Sequence, residues 1–173
     1  MKATIYPITA AAPNRIAIVA RPRGGDWLCD ELSALSREGM DVLVSMLTEQ
    51  ESNELGLNRE SEGCGAAAIT FVSLPIPDRS LPPDAKAFLH SVEQLAEMVR
   101  EGRFLGVHCR GSNGRSSVLA VSILVRLGGR PPKRSKPLSW PAAAGFLTHL
   151  NNGGGSFRIF PHGVDCRKIS FAY

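Results

Sequence analysis

At 173 residues and 18.6 kDa the chain is long enough for one domain with a sizeable core and too short for two. With 43% hydrophobic and 21% charged residues it has the composition of a soluble globular protein, which excludes a fibrous or disordered chain. The net charge of +4 and pI of about 9.1 suit an anionic substrate but fall short of a nucleic-acid binder, and the most apolar stretch, Val118 to Val125, is too short to cross a bilayer.

At the N-terminus, "MKATIYPITAAAP" has one lysine and a very short apolar run interrupted by Pro7, which argues against a secretory signal peptide. Short β-branched runs follow at Ile16–Val19, Val42–Met46, Ile69–Val72 and Phe104–Cys109. Being apolar on both faces and bounded by turn residues, they read as buried parallel strands. Between the first two, Asp26 caps a helix that runs to about Glu38 and ends at Gly39, with Cys29 as a packing residue. From Pro83 to Arg100, Ala85, Phe88, Leu89, Val92, Leu95, Ala96 and Val99 draw one apolar helical stripe. After Arg115, "SSVLAVSILVRL" is apolar almost all round, a helix buried on most sides, and Gly128-Gly129 with Pro131-Pro132 stops it. Strands alternating with helices predict an α/β fold, a central mostly parallel sheet flanked by helices.

From Lys133 onward no periodicity is sustained, and the basic cluster Arg130–Lys136 reads as a solvated linker. Cys29, Cys64, Cys109 and Cys166 are widely separated, with no CxxC pair. His162 and Cys166 have a ligand-like spacing but no second pair, so neither a zinc site nor any other metal or cofactor is expected. His90 and His149 carry no expected chemistry. Reduced thiols and a cytoplasmic location are the corresponding expectation.

In open α/β sheets ligands sit at the carboxyl ends of strands. The strand ending at His108 leads there into "VHCRGSNGRSS", a loop with Gly111 and Gly114 that opens into a helix near Arg115. Inward-pointing loop amides and the helix N-terminus form an anion cradle. Arg115 adds a planar fork of donors that fits two phosphate oxygens. The same field stabilises a thiolate at Cys109, making it a nucleophile at neutral pH, and Ser116 can hydrogen-bond the sulfur. A nucleotide-binding loop is excluded, because "GSNGRSS" lacks the lysine and spacing of GxxxxGK(S/T). A buried thiol without chemistry does not account for Arg115 within the glycine frame.

"HCRGSNGRS" resembles the HCxxxxxR(S/T) signature of the protein tyrosine phosphatase superfamily, in its small dual-specificity-like branch. "GMDVLVSMLTEQESNELGL" is similar to the strand and acidic helix of the same branch, and the resemblance covers roughly residues 15–130. It implies Cys109 as nucleophile, Arg115 as phosphate ligand, and Arg110, Gly111, Ser112, Asn113, Gly114 and Ser116 as substrate-binding loop, with His108 supporting the loop. The proline-rich stretch "FVSLPIPDRSLPPD" resembles the general-acid loop, implying Asp78 as acid and then base. Asp84, its competitor, reads as a first-turn residue of the following helix.

The implied activity is hydrolysis of phosphotyrosine, with phosphoserine and phosphothreonine as further substrates, in a phosphoprotein or phosphopeptide, by a monomer without a cofactor. A phosphatase of phosphoinositides or other small phosphomonoesters, and a phosphate-binding module without turnover, stay open as alternatives. Small members of the family often end in a helix pair introduced by something like VPDTPEQRRW, where this chain has "GFLTHLNNGGGS" from Gly145 to Ser156. Read from the third base of each of those codons, synonymous choices exist that encode VPDTPEQRRWI. Residues 1–132 are therefore read as the phosphatase catalytic domain and 133–173 as an atypical tail, frameshifted relative to the family.

Overall fold

A computed structural model describes residues 2–11, 13–112 and 114–128, with the backbone alone at Ala10. Asn113, the segment 133–173 and with it His149, His162 and Cys166 lie outside the described residues. The elements run β1 (Ile5–Pro7), β2 (Ile16–Val19), α1 (Leu28–Arg37), β3 (Val42–Ser45), α2 (Glu49–Glu54), α3 (Glu60–Ala66), β4 (Thr70–Ser73), α4 (Ala85–Arg100), β5 (Leu105–His108) and α5 (Arg115–Arg126). No described helix is long and apolar enough to cross a membrane.

The strands form one sheet in the order β1-β2-β5-β3-β4. β1 pairs antiparallel with β2, and the other neighbours are parallel. Parallel neighbours need crossovers, which is why helices separate β2, β3, β4 and β5 along the chain. The sheet is thus mostly parallel and helix-flanked, as the alternation of runs predicts. β1 has no counterpart in the sequence reading, because three residues ending in a proline carry too little periodicity to register.

Alternation along the buried strands divides the core in two. Ile16, Ile18, Val42, Val44, Leu105 and Val107 pack with Phe88, Val92, Leu95, Leu119 and Ile123 of α4 and α5. Ala17, Val19 and Leu43 face the other way, against Leu28, Leu32 and Leu35 of α1 and Cys64 of α3. β2, β3 and β5 are buried along their whole length. β4 departs from the expectation of burial on both faces: it is the edge strand, and its end residues Thr70 and Ser73 are exposed.

Helix ends follow local chemistry with two corrections. Asp84 is the N-cap of α4, its carboxylate accepting from the amides of Lys86 at 2.9 Å and Ala87 at 3.0 Å, one position earlier than a first-turn residue. Asp26 caps nothing and lies in a 3-10 turn, Gly25–Trp27, ahead of α1. Gly39, at φ +79°, follows α1 in the left-handed conformation expected of a helix stop. Cys29, expected to pack, is exposed.

The chain beyond β2 is pressed against the end of α2. Gly25 N donates to Gly56 O at 3.0 Å, and a Cβ on Gly24 would come within 2.0 Å of the Leu55 carbonyl oxygen. Backbone cannot yield there as a side chain could. Gly24→Ala is expected to cost about 1–3 kcal/mol in urea denaturation. Gly65→Ala, in a helix with open space around the new methyl, is expected to add about 0.5–1 kcal/mol. Equal midpoints for the two variants would refute this account of the turn.

Candidate active site

β5 is the middle strand, paired with β2 on one side and β3 on the other, so its carboxyl end opens where the sheet is most enclosed. Cys109 follows directly and is 3% exposed, within the cluster shared by α4 and α5. Its Sγ lies 3.4 Å from the Ser116 hydroxyl. Burial pushes the thiol's pKa up. The Ser116 hydroxyl and the amides of Ser116, Gly111 and Gly114 outweigh burial, leaving the pKa below the ordinary value of a thiol.

The loop turns differently from its glycine frame. Gly114, the N-cap of α5, has φ −107°, whereas Ser112 takes the left-handed conformation at φ +54°. A non-glycine residue there costs about 1–2 kcal/mol. The Ser112 hydroxyl donates to Val19 O at 2.9 Å, tying the loop to the end of β2 and offsetting about 1 kcal/mol of that strain.

Arg115 begins α5, and its side chain is 3% exposed. Nη1 donates to Glu51 Oε2 and to Ile76 O, both at 2.7 Å, and to Met46 O at 3.2 Å. Nη2 donates to Glu51 Oε1 at 2.8 Å. This bidentate pair uses the Nη1/Nη2 edge of the guanidinium, so the Nε/Nη2 edge keeps the donors that fit two phosphate oxygens.

Glu51 is itself held by a capping box at the start of α2. Its amide donates to the Thr48 hydroxyl at 3.2 Å, while Thr48 N donates to its carboxylate at 3.0 Å. The Arg115 hydrogen bonds lower the Glu51 pKa to about 2, against burial, with Thr48 assisting. Arg115 is correspondingly held further into its charged form by Glu51.

Asp78 comes from the loop between β4 and α4, and its Oδ1 lies 3.6 Å from Arg115 Nη2. Its side chain is 65% exposed, so it stands at the mouth of the site while Cys109 and Arg115 lie inside. Ser80 N donates back to Pro77 O at 3.1 Å, closing a turn with Asp78 and Arg79 at its centre, and Arg79 takes φ +56°. Arg110, also from the cradle loop, turns outward and pairs with Glu54 of α2 at 2.9 Å. The structure therefore gathers Cys109, Arg115, Asp78, Ser116, Gly111 and Gly114 about one point, while Ser112 and Arg110 reach away from it.

Two carboxylates were absent from the sequence reading as site residues. Glu51 had a usable signal, since Thr48-x-x-Glu51 is a capping-box pattern just after a strand. Glu60 had none: in "LNRESEGCG" it looks like any exposed acidic residue. Its Oε1 nevertheless lies 2.9 Å from His108 Nε2, with both side chains fully enclosed.

A family model described as "Polymorphic toxin system, DSP-PTPase phosphatase" matches residues 18–129. No curated protein matches the chain. Among solved structures, kinase associated phosphatase (KAP) is similar at a TM-score of 0.66 and 18% identity, covering 86% of this chain and 84% of that one. A putative phosphatase from Shewanella putrefaciens CN-32 is similar at 0.61 and 19% identity, covering 85% and 92%. TpbA of P. aeruginosa is similar at 0.51 and 18% identity, covering 87% and 73%. These likenesses establish the shared fold.

The Glu51–Arg115 pair makes stability depend on pH. Because the Glu51 pKa is depressed in the folded state, its contribution is complete above the unfolded value near 4.5 and is lost as pH falls through about 2. The shift corresponds to about 3 kcal/mol. Urea unfolding of the wild type between pH 5 and pH 2 is expected to lose about that much more stability than Glu51→Gln. Parallel pH profiles for the two proteins would sink the assignment.

Proposed function

The chain belongs to the family of dual-specificity-like phosphatases of polymorphic toxin systems and is a cysteine-dependent phosphatase, and from that premise we propose that it hydrolyses phosphotyrosine in a phosphoprotein or phosphopeptide. The observation that carries this reading is the depth of the site. Cys109 and Arg115 are each 3% exposed, whereas the Asp78 side chain is 65% exposed at the mouth. A phenyl ring is long enough to carry a phosphoryl group from a peptide at the mouth down to the buried Cys109, and the shorter seryl and threonyl esters reach less well. Phosphoserine and phosphothreonine are accordingly slower substrates. A polyanionic headgroup finds less support, since the charge of Arg110 is already matched by Glu54.

In the mechanism we infer, the phosphoryl group enters the cradle with its equatorial oxygens on the loop amides and on the Nε/Nη2 edge of Arg115. The Cys109 thiolate attacks phosphorus in line as the P–O bond to the tyrosyl oxygen breaks. Asp78, protonated, gives its proton to that oxygen, and a cysteinyl-phosphate remains. Asp78, now a carboxylate, takes a proton from water as the water attacks phosphorus. The S–P bond breaks, inorganic phosphate forms, and the Ser116 hydroxyl stabilises the leaving thiolate. No metal enters these steps. The protein acts as a cytoplasmic monomer, where reducing conditions preserve a nucleophilic thiol.

Initial rates on three forms of one peptide, carrying phosphotyrosine, phosphoserine or phosphothreonine, and on a dispersed phosphoinositide test the substrate class. Phosphotyrosine is expected to be fastest by about tenfold or more in kcat/KM. A faster phosphoinositide or phosphoserine rate would overturn it. Cys109→Ser is expected to bind the phosphotyrosine peptide without turnover.

For the acid, Asp78→Asn is expected to lower kcat on the phosphotyrosine peptide by about 10²–10⁴-fold. The loss should be smaller on p-nitrophenyl phosphate, whose leaving group needs less protonation. Equal losses on both substrates would count against Asp78 as proton donor.

A further inference from the structure

His108, which the family resemblance implies supports the loop, meets Glu60 in a contact that has no part in the mechanism above. Alternation along β5 turns Cys109 toward α4 and α5 and His108 to the opposite face, where α3 lies. There Glu60, in the first turn of α3, brings Oε1 to 2.9 Å from His108 Nε2, with side-chain exposures of 2% and 0%. The contact is a close approach of two enclosed polar groups: neither Glu60 Oε1 nor His108 Nε2 makes a well-directed hydrogen bond, and His108 Nδ1 makes none. Glutamate is almost never fully buried unless paired, and well-packed apolar residues are often as stable as such a pair. Stability alone is thus a weak reason for a carboxylate here, immediately behind the nucleophile.

The surroundings leave this pair isolated. On α3 the other titratable neighbour is Cys64, fully buried, whose thiol is pushed up to about 12 by burial first and by Glu60's charge second. β3 contributes Ser45, opposite His108 in register, and the Met46 amide, which donates to His108 O at 3.1 Å. β2 contributes only apolar side chains, and α1 packs Leu28, Leu32 and Leu35 on this face. Cys109 follows His108 in the chain. Glu60 is therefore the one carboxylate among the described residues in contact with the His108 ring.

We propose that Glu60 is a positioning residue for the catalytic loop: by holding the His108 ring from α3, it fixes the backbone from which Cys109 springs and keeps the thiolate aligned with its donors. Those donors, the Ser116 hydroxyl and the amides of Gly111, Gly114 and Ser116, all belong to the loop and the start of α5 that follow Cys109. A small rotation at His108–Cys109 moves the sulfur away from every one of them together. This inference rests on Cys109 being the nucleophile but not on the choice of substrate.

The test is a double-mutant cycle of Glu60→Gln, His108→Gln and the combined variant, in the full chain. Two readouts are needed: the pH dependence of Cys109 alkylation by iodoacetamide, followed by mass on the Cys109 peptide, and kcat and KM on p-nitrophenyl phosphate. Glu60→Gln is expected to raise the alkylation midpoint by about one pH unit. It should also lower kcat about tenfold with KM within about threefold. The combined variant should be no worse than His108→Gln alone, because Glu60 acts through that ring. Where Glu60→Gln fails to fold, Glu60→Asp keeps the charge one methylene short, and a smaller shift in the same direction is expected. An unmoved midpoint in a folded Glu60 variant, or additive losses in the cycle, overturns the proposal. Alkylation needs no substrate, so a failed phosphotyrosine reading leaves this result readable.

Discussion

The site depends on a guanidinium that is almost wholly buried and still has an edge to offer. An arginine at 3% exposure is tolerable only if its charge and donors are met, and Glu51 meets both with two hydrogen bonds at 2.7 and 2.8 Å. The carbonyls of Met46 and Ile76 complete the Nη1 side, so one side chain joins the ends of β3, the loop beyond β4 and the start of α5. Glu51 reaches the guanidinium from α2, and the Thr48 capping box sets the entry of that helix. The Asp78 loop is then positioned against the same guanidinium at 3.6 Å. Loss of the pair would release Arg115, the Asp78 loop and the start of α2 together.

The two-sided sheet explains why Cys109 has support from behind as well as from its own loop. Consecutive residues of a strand point to opposite faces, so the step from His108 to Cys109 crosses the sheet. Cys109 joins the α4/α5 core, while His108 meets Glu60 on the α3 side. Both supporting carboxylates, Glu51 and Glu60, come from the crossover between β3 and β4, a segment that carries no reacting group itself. Ser112 adds a third tie by spending a left-handed conformation to reach Val19 O.

Legibility in the sequence followed the range of the interaction. The buried strands and the striped helix α4 were readable because burial repeats along the chain at a fixed period, and Cys109, Ser116 and Arg115 because one loop holds them at a fixed spacing. Asp78 was legible through its proline-rich loop. Contacts made by folding were not: Glu60 approaches His108 across 48 positions of chain and carries no local pattern. β4 misled for a related reason. "ITFV" has the composition of a central strand, but edge or centre is decided by strand order, which no single run encodes. Ser112 rather than a glycine takes the turn because a hydrogen bond to a distant strand compensates the strain.

The chain's net charge of +4 turns out to be a poor guide to how the site selects its ligand. Three arginines of the site's loops already face a carboxylate: Arg115 faces Glu51, Arg110 faces Glu54, and Arg79 lies 3.9 Å from Asp78. Those three charges are thus matched already and do little to draw anions in general. Selection then falls to groups whose value depends on geometry, namely amides aimed at the centre of the loop, the N-terminal end of α5 and the Nε/Nη2 edge of Arg115. On the proposed function, a tetrahedral dianion of the right size would engage all of them without displacing Glu51, because it would approach the other edge of the guanidinium. A ligand that is merely anionic has to compete with carboxylates already in place.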